Sequence, residues 1–309
     1  MNKFIQKCVY FIIFCSSMLL LLNYLLLRNS HQNDFGRLQY KEAINKVVNA
    51  DNIIIGMSHA THGIQPAIIN QKGNTFFNFA LDGANPNYYF NWYKYIFKPN
   101  YKKPTYLIVT LDWFFLDDKW LWRRFEQDSE YFTADLFFNL LYNKNGYNKT
   151  MLFENRYPVL KFKKILLPGI FHHDKTTFPI SAYNNGFIPY VPKKVKVDEF
   201  YPEKVLIYKN QLATFEKLIG QFIADSIRVI FVTTPTYNLD PKPYVNLPIY
   251  NYYKSIASKY SIPYLNYNVE KRSIINSSIN YYADGGHLNY SGSTVFSTLL
   301  KQDLEKIMK

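Results

Sequence analysis

The hydrophobic residues of this 309-residue chain fall into short continuous runs, and these runs alternate with longer stretches of helical spacing. Short runs of β-branched and apolar residues predict buried strands, and apolar residues every three to four positions predict helices. The predicted strands are Ile53–Ile55, Thr75–Leu81, Thr105–Leu111, Arg228–Thr233 and Pro263–Leu265. The predicted helices are Leu38–Ala50, Tyr88–Phe97, Asp117–Tyr142, Lys204–Ala224, Ile249–Tyr260 and Ser291–Met308. Connections this long permit crossovers, so the pattern predicts a three-layer α/β/α fold with a mostly parallel five-stranded sheet.

Two regions interrupt this alternation. After the first strand, the residues from His59 to Gln65 predict a turn that leads into a short helix. Between residues 143 and 202 the chain has scattered Pro, Gly, Asn and Lys and no core pattern. We expect this stretch to be an irregular insertion over the site and not a separate domain, because long irregular segments often form lids or binding loops.

The N-terminal segment Phe4–Leu27 is almost entirely apolar, and it carries no charge from Cys8 to Leu27. Its length suffices to span a bilayer. It is long for the core of a signal peptide and lacks a small-residue cleavage site, so we expect an uncleaved anchor over residues 1–29. Basic residues precede it, which places the N-terminus in the cytoplasm and residues 30–309 outside as one domain with the 143–202 insertion.

Net charge and cysteine positions limit the ligands and structural features that the outer domain can have. Removing Lys3, Lys7 and Arg28 leaves 33 basic against 23 acidic residues, so the outer domain carries a net charge of about +10. This charge fits attraction to anionic glycans or lipid, or a general lysine bias of the chain. Both cysteines, Cys8 and Cys15, lie in the apolar segment, which excludes disulfides and thiolate zinc sites from the outer domain. No phosphate-binding glycine motif occurs, and the predicted location disfavours nucleic acid.

Candidate chemistry lies in two short segments. Ser58 follows the first predicted strand, where open α/β sheets place their ligands. Asp284 and His287 lie near the other end of the chain, separated by two glycines. A serine hydroxyl needs a base to become a nucleophile, and a neutral imidazole can take its proton. We predict that His287 is this base and that Asp284 orients its ring and balances its charge.

A tetrahedral intermediate at Ser58 would also need hydrogen-bond donors for its oxyanion. The candidates are the backbone N–H groups of Ser58 and Gly83 and the side-chain amide of Asn85. All three follow predicted strands, so they should lie at the same edge of the sheet.

These motifs resemble those of the SGNH (GDSL-like) hydrolase superfamily. Gly56-x-Ser58 resembles its first block, Gly83 the glycine of its second, and Asp284-x-x-His287 its last. The family's third block carries an Asn, whereas the third strand here ends in Leu111-Asp112-Trp113. Either Asn85 replaces that Asn or the oxyanion hole is incomplete. An ionised Asp112 would repel an oxyanion, so we expect it beside the hole.

The residues around these motifs point to one subgroup of the superfamily. G-x-S-H-x-x-x-G-I-x-P, from Gly56 to Pro66, and D-x-x-H-L-N-x-x-G, from Asp284 to Gly292, are similar to membrane-anchored members that accompany polysaccharide O-acyltransferases. Relatives of this kind include alginate acetylation proteins and the D-alanyl transfer protein of teichoic acid systems. The resemblance implies a serine acyltransferase or acylesterase that acts on O-acyl groups, mainly acetyl, of an envelope polysaccharide. It also implies a multi-pass membrane acyltransferase as a partner.

Three other interpretations of these motifs are a scaffold, a metal site and a different serine hydrolase fold. The missing third-block Asn permits a non-catalytic scaffold that binds glycan or a membrane acyltransferase. His59 and His62 could form a metal site with Asp284 and His287, although we expect neither metal nor cofactor. An α/β-hydrolase is disfavoured because its nucleophile motif is G-x-S-x-G, and position 60 here is Ala.

Overall fold

The computed structural model describes residues 2–30, 50–71, 73–117, 123–142, 149–157, 185–190, 197–202 and 209–308. The chain forms two compact units, one from residues 1–38 and 125–177 and the other from residues 39–124 and 178–309. The strands are β1 (Asn52–Ile55), β2 (Phe76–Asn78), β3 (Tyr106–Thr110), β4 (Arg228–Thr233) and β5 (Tyr264–Asn266). The helices are α1 (Asn2–Ser30), α2 (Ser58–Gly63), α3 (Pro66–Ile69), α4 (Pro86–Trp92), α5 (Lys98–Asn100), α6 (Arg123–Asp128), α7 (Ala134–Tyr142), α8 (Lys149–Arg156), α9 (Lys209–Ala224), α10 (Lys242–Val245), α11 (Pro248–Lys259) and α12 (Tyr290–Ile307).

The second unit contains one sheet of five parallel strands in the order β2-β1-β3-β4-β5, which confirms the predicted α/β class. The order reverses direction between β1 and β3, because the chain first crosses from β1 to β2 and then returns to β3. Right-handed crossovers in opposite directions put helices on opposite faces of the sheet. Accordingly, α12 packs against α2 and α3, whereas α9 packs against α4 and β4.

The core of this unit follows from the strand sequences. Almost every residue of β1, β3 and β4 is buried, as expected for parallel strands covered on both faces. On one face, β-branched side chains of neighbouring strands, such as Ile54, Ile108 and Ile230, pack against Phe296 and Leu300 of α12. Above this core the chain leaves β1 and β3 in opposite crossover directions, and the crevice at such a point is the usual ligand position in open parallel sheets.

The first unit contains the apolar helix α1 and a small helical cluster. Within α1, the stretch Lys3–Leu25 is long and apolar enough to cross a membrane, and both a membrane anchor and a signal sequence have these properties. In the helical cluster, Arg156 donates to the carbonyls of Ser129 and Phe132. The Ser129 hydroxyl donates to the carbonyl of Leu152, so α8 and the turn before α7 are joined by hydrogen bonds.

Three predictions of secondary structure are wrong in detail. The continuous helix predicted for Asp117–Tyr142 is interrupted, since a new helix starts at Ala134 with the Thr133 hydroxyl accepting from the N–H of Leu136. The turn predicted at His59 is helical from Ser58 onward. The stretch 143–202, predicted to be irregular, contains α8, and most of its other residues lie outside the described part of the chain. The helix predicted for Leu38–Ala50 also lies almost wholly outside the described residues.

Candidate active site

Ser58 is the first residue of α2, three residues after β1 ends. The sharp exit from the strand depends on Gly56, which has a φ of +152°. A Cβ at this position would lie 1.6 Å from Oγ1 of Thr110 on the neighbouring strand, so any side chain would push β1 and β3 apart. The Tyr89 hydroxyl closes the turn, because it donates to the carbonyl of Gly56 and accepts from its N–H. The sequence thus presents a half-buried serine at the strand end.

The loop from Asp284 to His287 holds an imidazole in one tautomer. Oδ1 of Asp284 accepts from the N–H groups of Gly286, at 2.9 Å, and of His287, at 2.7 Å. Both carboxylate oxygens lie 3.0 Å from Nδ1 of the His287 ring. A carboxylate only accepts, so Nδ1 carries the proton and Nε2 presents a lone pair. The two glycines are required here, because a Cβ on Gly285 would lie 2.2 Å from the carbonyl oxygen of Asp198.

The two segments meet directly. Nε2 of His287 lies 2.8 Å from Oγ of Ser58, although 229 positions separate these residues in the chain. Since Nε2 has the lone pair, the serine hydroxyl donates to it, which is the contact that general-base activation needs. The structure therefore brings Ser58, His287 and Asp284 together in one line of hydrogen bonds, which is the geometry that a nucleophile, a base and an orienting acid would need.

The electrostatics of the cluster keep the base neutral. Burial lowers the pKa of His287 below its usual value, and the hydrogen bond to Asp284 opposes this effect without cancelling it. Burial acts to raise the pKa of Asp284, but its hydrogen bonds from His287 and Gly286 outweigh this effect and hold the pKa well below the usual value. At neutral pH the site thus contains an ionised carboxylate beside a neutral imidazole.

The predicted oxyanion donors lie at the ends of β1 and β2. Asn85 is buried, and its Oδ1 accepts from the N–H of Tyr88 at the start of α4. This contact fixes the orientation of the amide, and Nδ2 is left buried without a hydrogen-bond partner. Within the described residues, no hydrogen bond from the N–H of Ser58 or Gly83 is found either. Unpaired buried donors are rare in folded proteins, so Nδ2 of Asn85 is a candidate donor to a bound anion. Ser58 and Gly83 are half-buried, and their N–H groups are candidate donors beside it.

Asp112, at the end of β3, is bonded to the histidine that follows the serine. Nδ1 of His59 lies 3.0 Å from Oδ1 of Asp112, and both side chains are buried. The hydroxyl of Thr234 donates to the same oxygen at 3.3 Å. The His59 ring in turn packs edge-on against the His287 ring, with centroids 4.7 Å apart. Oδ1 of Asp112 is thus bonded on the far side of His59 from the His287 ring, whereas Oδ2 is buried without a hydrogen-bond partner among the described residues.

His62 extends the same cluster one turn along α2. Its Nδ1 donates to the carbonyl of Ile188 at 2.7 Å, and its Nε2 lies 3.5 Å from Asp82. Burial acts to lower the pKa of His62, but Asp82 outweighs it and raises the pKa. The residues proposed for a metal site are therefore engaged separately, each histidine with its own aspartate. Among the described residues, no group of three or more His, Cys, Asp or Glu side chains is arranged to hold a metal ion.

Two aromatic residues beside the base were missed by the sequence interpretation. Tyr190 lies parallel to the His287 ring, with centroids 4.5 Å apart and an interplanar angle of 4°. Phe200 packs edge-on against His59, with centroids 5.9 Å apart. Both come from the 143–202 stretch, which has no periodic pattern, so no local signal marks them.

No family model matches the chain, and no curated protein matches its sequence. Several solved structures are similar in fold. A candidate acylhydrolase from Bacteroides fragilis is 13% identical, with a TM-score of 0.43 over 90% of this chain and 100% of that protein. A GDSL-like lipase from Bacteroides thetaiotaomicron is 13% identical, with a TM-score of 0.41 over 89% of this chain and 100% of the lipase. A lipase/acylhydrolase from Enterococcus faecalis is 10% identical, with a TM-score of 0.36 over 82% of this chain and 95% of that protein.

Proposed function

We propose that this protein cleaves or transfers acyl esters through an acyl-serine intermediate on Ser58. The 2.8 Å contact between Oγ of Ser58 and Nε2 of His287 carries the proposal, because the tautomer fixed by Asp284 makes Nε2 an acceptor. A serine hydroxyl held this way can lose its proton as it attacks, which is the step that an unassisted serine performs poorly.

In the first half-reaction, Oγ of Ser58 attacks the ester carbonyl carbon while its proton moves to Nε2 of His287. The carbonyl oxygen becomes an oxyanion, for which the N–H groups of Ser58 and Gly83 and Nδ2 of Asn85 are the proposed donors. The intermediate collapses, the bond to the leaving oxygen breaks, and His287 returns the proton to that oxygen as an alcohol. Asp284 stabilises the transient imidazolium.

In the second half-reaction, His287 takes a proton from an incoming hydroxyl, which attacks the acyl-serine. The bond from the acyl carbon to Oγ of Ser58 then breaks, and His287 returns the proton to that oxygen. Water as the nucleophile gives an esterase, and a sugar hydroxyl gives an acyltransferase. We propose a polysaccharide of the cell envelope as the acyl acceptor or acyl carrier, with a multi-pass membrane acyltransferase as the partner. The motif flanks from Gly56 to Pro66 and from Asp284 to Gly292 support this finer assignment.

The N-terminal helix and its flanking charges support the same proposal. An anchor over residues 1–29 with Lys3 and Lys7 on the cytoplasmic side would hold the site outside the membrane, close to envelope glycans. The net charge of about +10 on the remaining residues would favour anionic polymers there.

A fluorophosphonate probe tests the proposal on the full chain in detergent micelles. We expect one covalent adduct per protein, located on Ser58 by peptide mass spectrometry, and we expect Ser58→Ala to abolish both the adduct and the hydrolysis of p-nitrophenyl acetate. Ser255→Ala, which removes an exposed hydroxyl on α11, is the matched control and should keep both. An unlabelled wild-type protein, or ester hydrolysis that survives Ser58→Ala, would overturn the assignment.

Adding an oligosaccharide acceptor to the same assay separates transfer from hydrolysis. A transferase should form the sugar ester at the expense of free acetate, whereas an esterase should release acetate at an unchanged rate. A glycan that binds without either reaction would favour the scaffold alternative.

A further inference from the structure

Tyr190 forms a stacked pair with the proposed catalytic base. Its ring covers one face of His287 at a centroid separation of 4.5 Å, and the 4° angle between the rings makes this a parallel contact. His62 contacts both rings edge-on, with centroids 4.8 Å from Tyr190 and 5.7 Å from His287. The three rings form one packed group, referred to below as the ring cluster (His62, Tyr190 and His287).

The segment that carries Tyr190 is tied to the helix that carries Ser58. The N–H of Ile188 donates to the carbonyl of Thr61, and Nδ1 of His62 donates to the carbonyl of Ile188 at 2.7 Å. At the start of the segment, Gly186 has a φ of +91°, and a Cβ there would lie 1.9 Å from the carbonyl oxygen of Asn78. These contacts fix the backbone at and before Ile188, and this backbone places the Tyr190 ring against the imidazole of His287.

Other residues of the same stretch support the opposite side of the catalytic loop. The carbonyl oxygen of Asp198 lies where a Cβ of Gly285 would be, at 2.2 Å. The N–H of Phe200 donates to the carbonyl of Tyr237, whose own N–H donates to the carbonyl of Gly285. The described parts of residues 185–202 therefore contact the loop that carries His287 on two sides and form part of the lining of the site.

The geometry points to Tyr190 as a positioning residue for His287, one that stacks on the imidazole and stabilises its protonated form during acyl transfer. The inference rests on the proposed function, because it matters only if His287 takes the serine proton. A cation over the face of an aromatic ring within about 6 Å of the centroid is attracted by the ring quadrupole. The parallel contact also restricts rotation of the imidazole, which keeps Nε2 directed at Ser58.

The chemistry of the tyrosine fits this role. Burial raises the pKa of Tyr190 to about 12, with the charge of Asp284 and a hydrogen bond from the phenol to Asp284 adding to it, so the phenol stays neutral and does not compete for the proton. The groups that face the imidazole are Asp284, His59, His62 and Tyr190, with Asp82 behind His62. Of these, only Tyr190 lies flat against the ring, so it can respond to the ring charge without forming a hydrogen bond to it.

The test compares Tyr190→Phe, which keeps the ring, with Tyr190→Leu, which keeps the apolar cover. The readout is the second-order rate of fluorophosphonate labelling of the full chain in detergent, measured from pH 5 to pH 9. We expect Tyr190→Phe to stay within about threefold of wild type and Tyr190→Leu to react about 10-fold more slowly. In Tyr190→Leu the acid limb of the pH profile should also move to lower pH, because the imidazolium has lost its support.

Tyr101→Leu is the matched control. Tyr101 is a half-buried tyrosine that packs on Phe97 before β3, so it lies at the opposite edge of the sheet from the site. Tyr101→Leu should lose about as much stability as Tyr190→Leu and keep the wild-type rate and pH profile of labelling. Equal rates and pH profiles in wild type and Tyr190→Leu, or a Phe variant as slow as the Leu variant, would overturn the role of the ring. A wild-type protein that does not label would instead overturn the proposed function itself.

Discussion

Replacing Asp284 by Asn tests the geometry of the base most directly. An Asn at this position can still accept from the N–H groups of Gly286 and His287 through its carbonyl oxygen, so the loop should keep its turn. Its NH₂ group then faces Nδ1 of the ring, and two donors cannot share one bond. The imidazole is driven to carry its proton on Nε2, 2.8 Å from Oγ of Ser58, where it cannot accept the serine proton.

The size of the effect follows from which step is blocked. The variant retains the serine, the oxyanion donors and the bound ester, so KM should change little. The loss falls on kcat and should be on the order of 1,000- to 10,000-fold, which corresponds to about 4 to 5.5 kcal/mol of transition-state stabilisation.

Steady-state hydrolysis of p-nitrophenyl acetate at pH 7.5 provides the measurement, with thermal unfolding to verify the fold. Asp303→Asn is the matched control, because Asp303 is a mostly buried carboxylate that also accepts three hydrogen bonds, from Tyr267, Lys271 and Lys306. It should lose stability and keep kcat. If folded Asp284→Asn retains a tenth or more of the wild-type kcat, the assignment of His287 as a base oriented by Asp284 is wrong.

Four further outcomes follow from the structure. Because burial lowers the pKa of His287, kcat/KM should fall only below a midpoint under pH 6.5 in a pH–rate profile, and a midpoint above 6.5 would contradict the description of the base. Gly286→Ala puts a Cβ 2.9 Å from Nε2 of His59, so fluorophosphonate labelling of Ser58 should slow, and a wild-type labelling rate would contradict the close packing of this loop on His59. Gly220→Ala adds a methyl group 3.6 Å from its nearest neighbour within a helix, and it should stabilise the protein by about 0.5–1 kcal/mol in urea unfolding. The pKa of His62 is raised in the folded state, so the protonated ring stabilises the fold. This contribution is complete below about pH 6.5 and is lost as the pH rises through the folded-state pKa. The difference in unfolding free energy between wild type and His62→Gln should therefore shrink from pH 6 to pH 9.

The fold was predictable where burial acts on both faces of the sheet. The runs at β1, β3 and β4 are nearly all apolar, and each became a central parallel strand close to its predicted bounds. The second strand is shorter than the predicted Thr75–Leu81 because the Tyr89 hydroxyl accepts from the N–H of Gly56 and donates to the carbonyl of Phe79, the two groups that would pair next in the ladder. The Asn78 side chain accepts from the N–H of Ala80 and donates to the carbonyls of Ala60 and Ile64, so the strand end is bonded to α2 and the turn after it.

The site was predictable only where its chemistry has a short sequence pattern. Gly56 and Ser58, like Asp284 and His287, lie close enough in sequence for the pattern to imply a turn and a role. Tyr190 could not be found this way, because its contact with His287 joins positions 97 residues apart and depends on how an aperiodic segment packs. The partner of Asp112 was likewise hidden, since the bond to His59 spans 53 positions.

The pairing of aspartates with histidines explains how an oxyanion could form in a cluster rich in carboxylates. An unpaired carboxylate at the strand ends would repel the negative charge that develops on the substrate, and this repulsion is stronger where water is excluded. Asp284, Asp112 and Asp82 each lie within 3.5 Å of an imidazole nitrogen. Each imidazole directs an N–H or a positive charge at its carboxylate and reduces the field that reaches Ser58. An aspartate at the end of β3 is therefore compatible with the proposed ester chemistry because the residue after Ser58 is a histidine.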